Sequence, residues 1–87
     1  MARAERILAI DIGSTGLRIA EFSIGDGLTL HAYQSVEYEE HLSDSNRTLV
    51  ISTALKQGLA EGNFSTKRAA VCVSGQAAFM RLSLIHI

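Results

Sequence analysis

The chain reads as alternating blocks of hydrophobic and polar positions, and the period of each block predicts an element. Residues 7–12 (Ile-Leu-Ala-Ile-Asp-Ile) are almost continuously apolar, which predicts a central strand covered on both faces. Residues 17–23 predict a second strand after the turn Gly13-Ser14-Thr15-Gly16. The Asp26-Gly27 pair signals another hairpin, because glycine tolerates positive φ. A third strand spans 28–38. Strict alternation would put Leu28, Leu30, Ala32, Val36 and Tyr38 on one face and Thr29, His31, Ser35 and Glu37 on the other, as in a half-exposed antiparallel strand. Residues 39–46 are polar and form a loop, with Asp44 or Ser45 as helix cap. The helix then runs over 46–61, with Ile51, Leu55 and Leu59 as its apolar stripe and Val50 and Ala54 widening it. Gly58 costs such a helix about 1 kcal/mol relative to alanine, which points to a close approach to the sheet. Gly62 suits the position after the helix, with Phe64 making the accompanying apolar contact. Residues 69–74 are a second continuous apolar strand, Gly75-Gln76 breaks it, and 78–86 form a further strand.

The order strand, strand, strand, helix, strand defines an α/β fold. Three antiparallel strands come first, and a crossover helix then returns the next strand parallel to one of them. The pattern stops within the run Leu84-Ile85-His86-Ile87, which reads as a fragment of something larger.

Composition narrows the classes. With 87 residues, 47% hydrophobic and 20% charged, the chain has the make-up of a small globular core. A net charge of −1 argues against a nucleic-acid partner, and no apolar run reaches the ~20 residues of a membrane span. The single cysteine, Cys72, leaves no internal disulfide and fits a reducing compartment; its apolar strand predicts a core position. His31, His41 and His86 are scattered, without metal-ligand spacing. Glu37, Glu39 and Glu40 read as a solvated loop, and Lys67-Arg68 as the flank of a strand.

The chemistry concentrates at 11–18. Gly13 and Gly16 let backbone N–H groups converge on an anion, and Ser14 and Thr15 add hydroxyl donors. Arg18 adds a forked cationic donor. Asp11 suits an anion site only through a divalent cation, and hydrated Mg²⁺ needs just one carboxylate. A glycine-serine hairpin tip uses the same residues with no ligand at all, so spacing alone leaves both readings open. Asp11 tilts the balance, because a carboxylate between isoleucines in an apolar strand is costly unless paired or near a cation.

The stretch "AIDIGSTGLRIAEF" resembles the first phosphate motif of the actin-like ATPase superfamily, whose ribonuclease H-like fold begins with the same order of elements. Within it the chain is most similar to the PilM group of type IV pilus assembly proteins. There a "DIG(S/T)xxxK" motif is followed by a short strand, a helix and a segment like residues 67–81, "KRAAVCVSGQAAFMR". The resemblance covers residues 6–81, so 1–81 are expected to be the N-terminal part of an actin-like subdomain. The tail 82–87, "LSLIHI", is unlike the group and is expected to be non-native.

The resemblance implies ATP and Mg²⁺ as ligands. Asp11 would face the metal's hydration shell, while Gly13, Ser14, Thr15 and Gly16 would wrap the β- and γ-phosphates. Arg18 would stand where the group has lysine. The second phosphate motif and the adenosine motif lie farther downstream in such proteins, so these residues alone should bind ATP poorly. The implied protein is a cytoplasmic scaffold, at most a slow ATPase. It sits at the inner face of the inner membrane without spanning it and binds the cytoplasmic peptide of a pilus-assembly membrane protein, and the resemblance leaves room for a homo-oligomer. In the group the region of Gly75-Gln76 lies near the peptide groove. The alternatives are a sugar or metabolite kinase of the same superfamily, which often has a second glycine where Ser14 stands, and an FtsA-like cell-division protein.

Overall fold

A computed structural model describes residues 5–74 and the backbone of 80–86. The elements run β1 (Glu5–Ile12), β2 (Gly16–Ile24), β3 (Leu28–Glu37), α1 (Arg47–Gly62), β4 (Arg68–Ser74) and β5 (Met80–His86). They form one five-stranded sheet in the order β3-β2-β1-β4-β5. β1–β2 and β2–β3 are antiparallel, while β4 joins β1 in parallel, Leu8 facing Ala69 and Ile12 facing Val73. The crossover through α1 thus delivers a parallel strand, as the element order predicts. β5 returns antiparallel to β4. Gly75 and Gln76 lie outside the described residues.

One face of the sheet is covered. Leu8 and Ile10 of β1, Leu17 and Ile19 of β2, Val36 of β3 and Ala69 of β4 form a buried cluster under α1. Burial on this scale contributes about 1.5–3 kcal/mol per large aliphatic side chain. The expectation that β1 is covered on both faces does not hold. Among the described residues, nothing packs over the side that carries Ile7, Ala9, Asp11, Arg18, Ala20, Phe22, Ala70 and Cys72, and Ala9 is exposed. Cys72 is therefore half-buried rather than a core residue. A continuous apolar run records covered faces only if a second layer exists.

The alternation expected along β3 also breaks. The β2–β3 register shifts between Glu21 and Phe22: Ala32 faces Glu21, Leu30 faces Phe22, and His31 is the extra residue of a β-bulge. The bulge reverses the phase. Ala32 and Val36 point toward the helix, whereas Leu28 and Leu30 share the open face with Phe22 and Ile24. His31 stays on the helix side, its Nε2 lying 2.6 Å from Oγ of the buried Ser23.

The helix lies one residue later than expected. Its cap is Asn46 rather than Asp44 or Ser45, and the Asn46 side chain turns back to accept from Ser43 N–H and donate to the His41 carbonyl. The buried stripe is Val50, Ala54 and Gly58, while Ile51, Leu55 and Leu59 are half-buried at its edge. Small residues occupy the centre because the helix presses directly on β2 and β3. The residue after the helix is Asn63, in the left-handed conformation at φ 54°, and not Gly62 as expected, which is the last helical residue. The Phe64 ring lies against Gly62 and packs on the edge of the core cluster.

Glu21 is a buried carboxylate of the covered face, with a side chain only 2% exposed. It accepts from the Ser65 N–H at 3.0 Å, from the Ser65 hydroxyl, and from Arg6 Nη1 at 3.2 Å. It thereby fastens the α1–β4 connection to the sheet. Burial raises its pKa, but the Ser65 and Arg6 contacts outweigh burial and hold the carboxyl below its ordinary value.

Candidate functional site

The β1–β2 turn is built around short backbone contacts. Gly13 N–H donates to the Gly16 carbonyl at 2.9 Å, leaving Ser14 and Thr15 exposed at the tip. The glycines do not serve a left-handed backbone, because among the described residues only Asn63 has positive φ. The Asp26-Gly27 turn does not use it either, and a Cβ on Gly27 would meet open space. Gly16 is required for another reason: a Cβ there would lie 2.6 Å from the Val36 carbonyl oxygen. Only glycine lets β2 begin this close to the β3 backbone.

Tyr38, just past β3, clamps the turn. Its N–H donates to the Thr15 carbonyl at 3.0 Å, and its hydroxyl donates to the Gly13 carbonyl at 2.8 Å. Burial raises the phenol pKa, with Arg47 opposing and Asp11 reinforcing the shift, so the hydroxyl stays a donor at neutral pH. The sequence pattern places Tyr38 only as an apolar strand position. Its spacing from a glycine turn carries no signal that a hairpin at the far end of β3 will meet it. Tyr38→Phe is expected to cost about 1 kcal/mol. Amide exchange at Ser14 and Thr15 should quicken while exchange in the β1–β4 ladder does not.

Asp11 and Arg18 face each other directly across β1 and β2 on the open side, with Nη2 to Oδ2 at 3.4 Å. Their side chains are 47% and 63% exposed. The sequence argument that Asp11 needs a cation because it is buried therefore loses its force: the carboxylate is half-solvated and already paired. A pair this exposed contributes little to stability.

The turn, Arg18, Tyr33, Ser35 and Glu37 line a polar hollow of about 440 Å³. It brings together Gly13, Ser14, Thr15, Gly16 and Arg18. Asp11 does not line it and stands beside it, linked through Arg18. Glu37 is the one carboxylate that lines the hollow, although its sequence context reads only as a solvated acidic stretch. Among the described residues, no three His, Cys, Asp or Glu side chains are grouped to hold a metal ion. A hydrated Mg²⁺ that takes most of its ligands from water and phosphate does not require such a group. The exposed hydroxyls at the tip, the guanidinium and the half-solvated carboxylate are of the kinds a metal-bound phosphate needs. Asp11 would hold the ion's waters, and Ser14, Thr15 and Arg18 would hold phosphate oxygens.

Fold and site together define a mixed α/β protein in which a clamped hairpin turn opens onto a polar hollow. No protein-family model, curated protein or solved structure matches the chain. Among the described residues, no helix is long and apolar enough to cross a membrane.

Proposed function

We propose that the chain carries the first phosphate-binding hairpin of an actin-like ATP-binding protein, with Asp11 directed to Mg²⁺ and Gly13, Ser14, Thr15, Gly16 and Arg18 to the β- and γ-phosphates. One observation carries this reading: the turn and Arg18 line a single hollow, and cross-strand pairing keeps Asp11 at its margin. The β3-β2-β1-β4 order, with its single crossover, supports the actin-like assignment. In such a site the protein positions phosphate and metal and supplies no covalent chemistry of its own. The similarity of residues 67–81 to the PilM group extends the proposal to a cytoplasmic scaffold. It would sit at the inner face of the membrane and hold the cytoplasmic peptide of a pilus-assembly protein, with nucleotide as a switching ligand.

The test is calorimetric titration of Mg-ATP into the protein from the complete reading frame. Asp11→Ala is expected to weaken binding tenfold or more without altering the circular dichroism spectrum. Unchanged affinity would reduce residues 13–16 to a structural turn. ATP-dependent phosphorylation of a sugar by that protein would favour the kinase reading over the scaffold.

A further inference from the structure

Glu37 ends β3 directly opposite Gly16, two positions beyond the Arg18–Ser35 pair. Residues two apart on a strand share a face, so Glu37 stands on the open side with Ser35, Arg18 and, one strand further, Asp11. Gly16 has no side chain to cover it. Glu37 is exposed, and among the described residues its carboxylate takes part in no ion pair or side-chain hydrogen bond.

The charges in and beside the hollow do not favour a bare anion. Arg18 is the cationic side chain that lines it, and Asp11 already holds that guanidinium at 3.4 Å. Two carboxylates, Asp11 and Glu37, against one guanidinium leave a formal net charge of −1. A phosphate that draws Arg18 away leaves both carboxylates unpaired beside the new anion, and that repulsion opposes binding. A phosphate that arrives with a divalent cation meets a different balance. The cation offsets both carboxylates, and Arg18 is released to the phosphate oxygens. At about 440 Å³ the hollow has room for a phosphate together with several waters of a hydrated ion, each taking ~30 Å³.

We propose, resting on the phosphate reading above, that Glu37 makes the hollow selective for phosphate that comes with its divalent cation. Its unpaired charge penalises a bare phosphate and is neutralised when the metal enters with it. Asp11 cannot supply this discrimination alone, because with Arg18 it forms a neutral pair.

Calorimetric titration of ATP into the protein from the complete reading frame, once with excess Mg²⁺ and once with EDTA, reads the selectivity as a ratio of two affinities. Glu37→Gln should bind metal-free ATP more tightly and Mg-ATP no more tightly, so that the ratio falls about fivefold or more at low ionic strength. By linkage, the Mg²⁺ affinity of the nucleotide complex falls by the same factor. Glu39→Gln makes the same charge change outside the hollow and should leave the ratio near the parent's. A parent that binds Mg-ATP with a ratio unmoved by Glu37→Gln overturns the role of Glu37 and leaves the phosphate reading standing. So does an equal fall in Glu39→Gln, which would make the effect one of overall charge. A parent that binds no Mg-ATP overturns both.

Discussion

Glu21→Ala is expected to destabilise the chain by about 2–3 kcal/mol, read as a lower urea midpoint at unchanged slope. The carboxylate is nearly inaccessible, and its oxygens collect both Ser65 donors and Arg6. Removing it leaves a void beside Leu8 and releases the segment that leads into β4. Arg6 is 44% exposed and rehydrates, which keeps the loss below that of a fully buried pair. The same group sets an acid dependence. Its folded pKa lies below the ordinary value of 4.5, so its contribution is complete above that pH and is lost as pH falls through the folded value. Glu21→Gln should be less stable than the parent at neutral pH, and the two stability curves should converge in acid. Parallel curves down to about pH 3 would show that the carboxylate charge plays no part.

Gly58→Val is expected to cost about 2–3 kcal/mol, although the substitution removes a glycine from a helix interior. A Cβ at this position would come within 2.9 Å of Ile19 Cδ1 and 3.2 Å of Val36 Cγ2. Ile19 is fully buried and Val36 is stiff at χ1, so neither moves aside cheaply. Valine adds two more methyl groups to that contact. Gly58→Ala, with only the Cβ, should fall within about 1 kcal/mol of the parent as propensity and crowding offset each other. A Gly58→Val chain as stable as the parent would mean that α1 does not press on β2 and β3 as closely as described.

Much of the fold was legible in the sequence because hydrophobic period is a local property. The strands, the helix and the parallel return of β4 follow from it, as does the close approach at Gly58. Three features were not legible because each is decided by distant partners. The bulge at His31 depends on a β2–β3 register that no residue of β3 specifies alone. Glu21 reads as one polar position in a strand until Ser65 and Arg6 converge on it. The side of β1 that no described residue covers shows the same limit, since Ile-Leu-Ala-Ile predicts two covers and cannot say whether both are present. At the candidate site, the grouping of the turn with Arg18 was legible from spacing. The Asp11–Arg18 pair, the Tyr38 clamp and the entry of Glu37 required the hairpins to be folded against each other.

The parallel pairing of β1 with β4 has a kinetic consequence. β2 and β3 can zip onto β1 through local turns, but β4 must return from the other end of the described chain, so closure of the β1–β4 ladder comes late. During synthesis β1 therefore waits with one side paired and the other open until Arg68–Ser74 has left the ribosome. Until that ladder closes, β1 presents an unpaired edge as well as β3, and open edges of this kind are where other chains can pair.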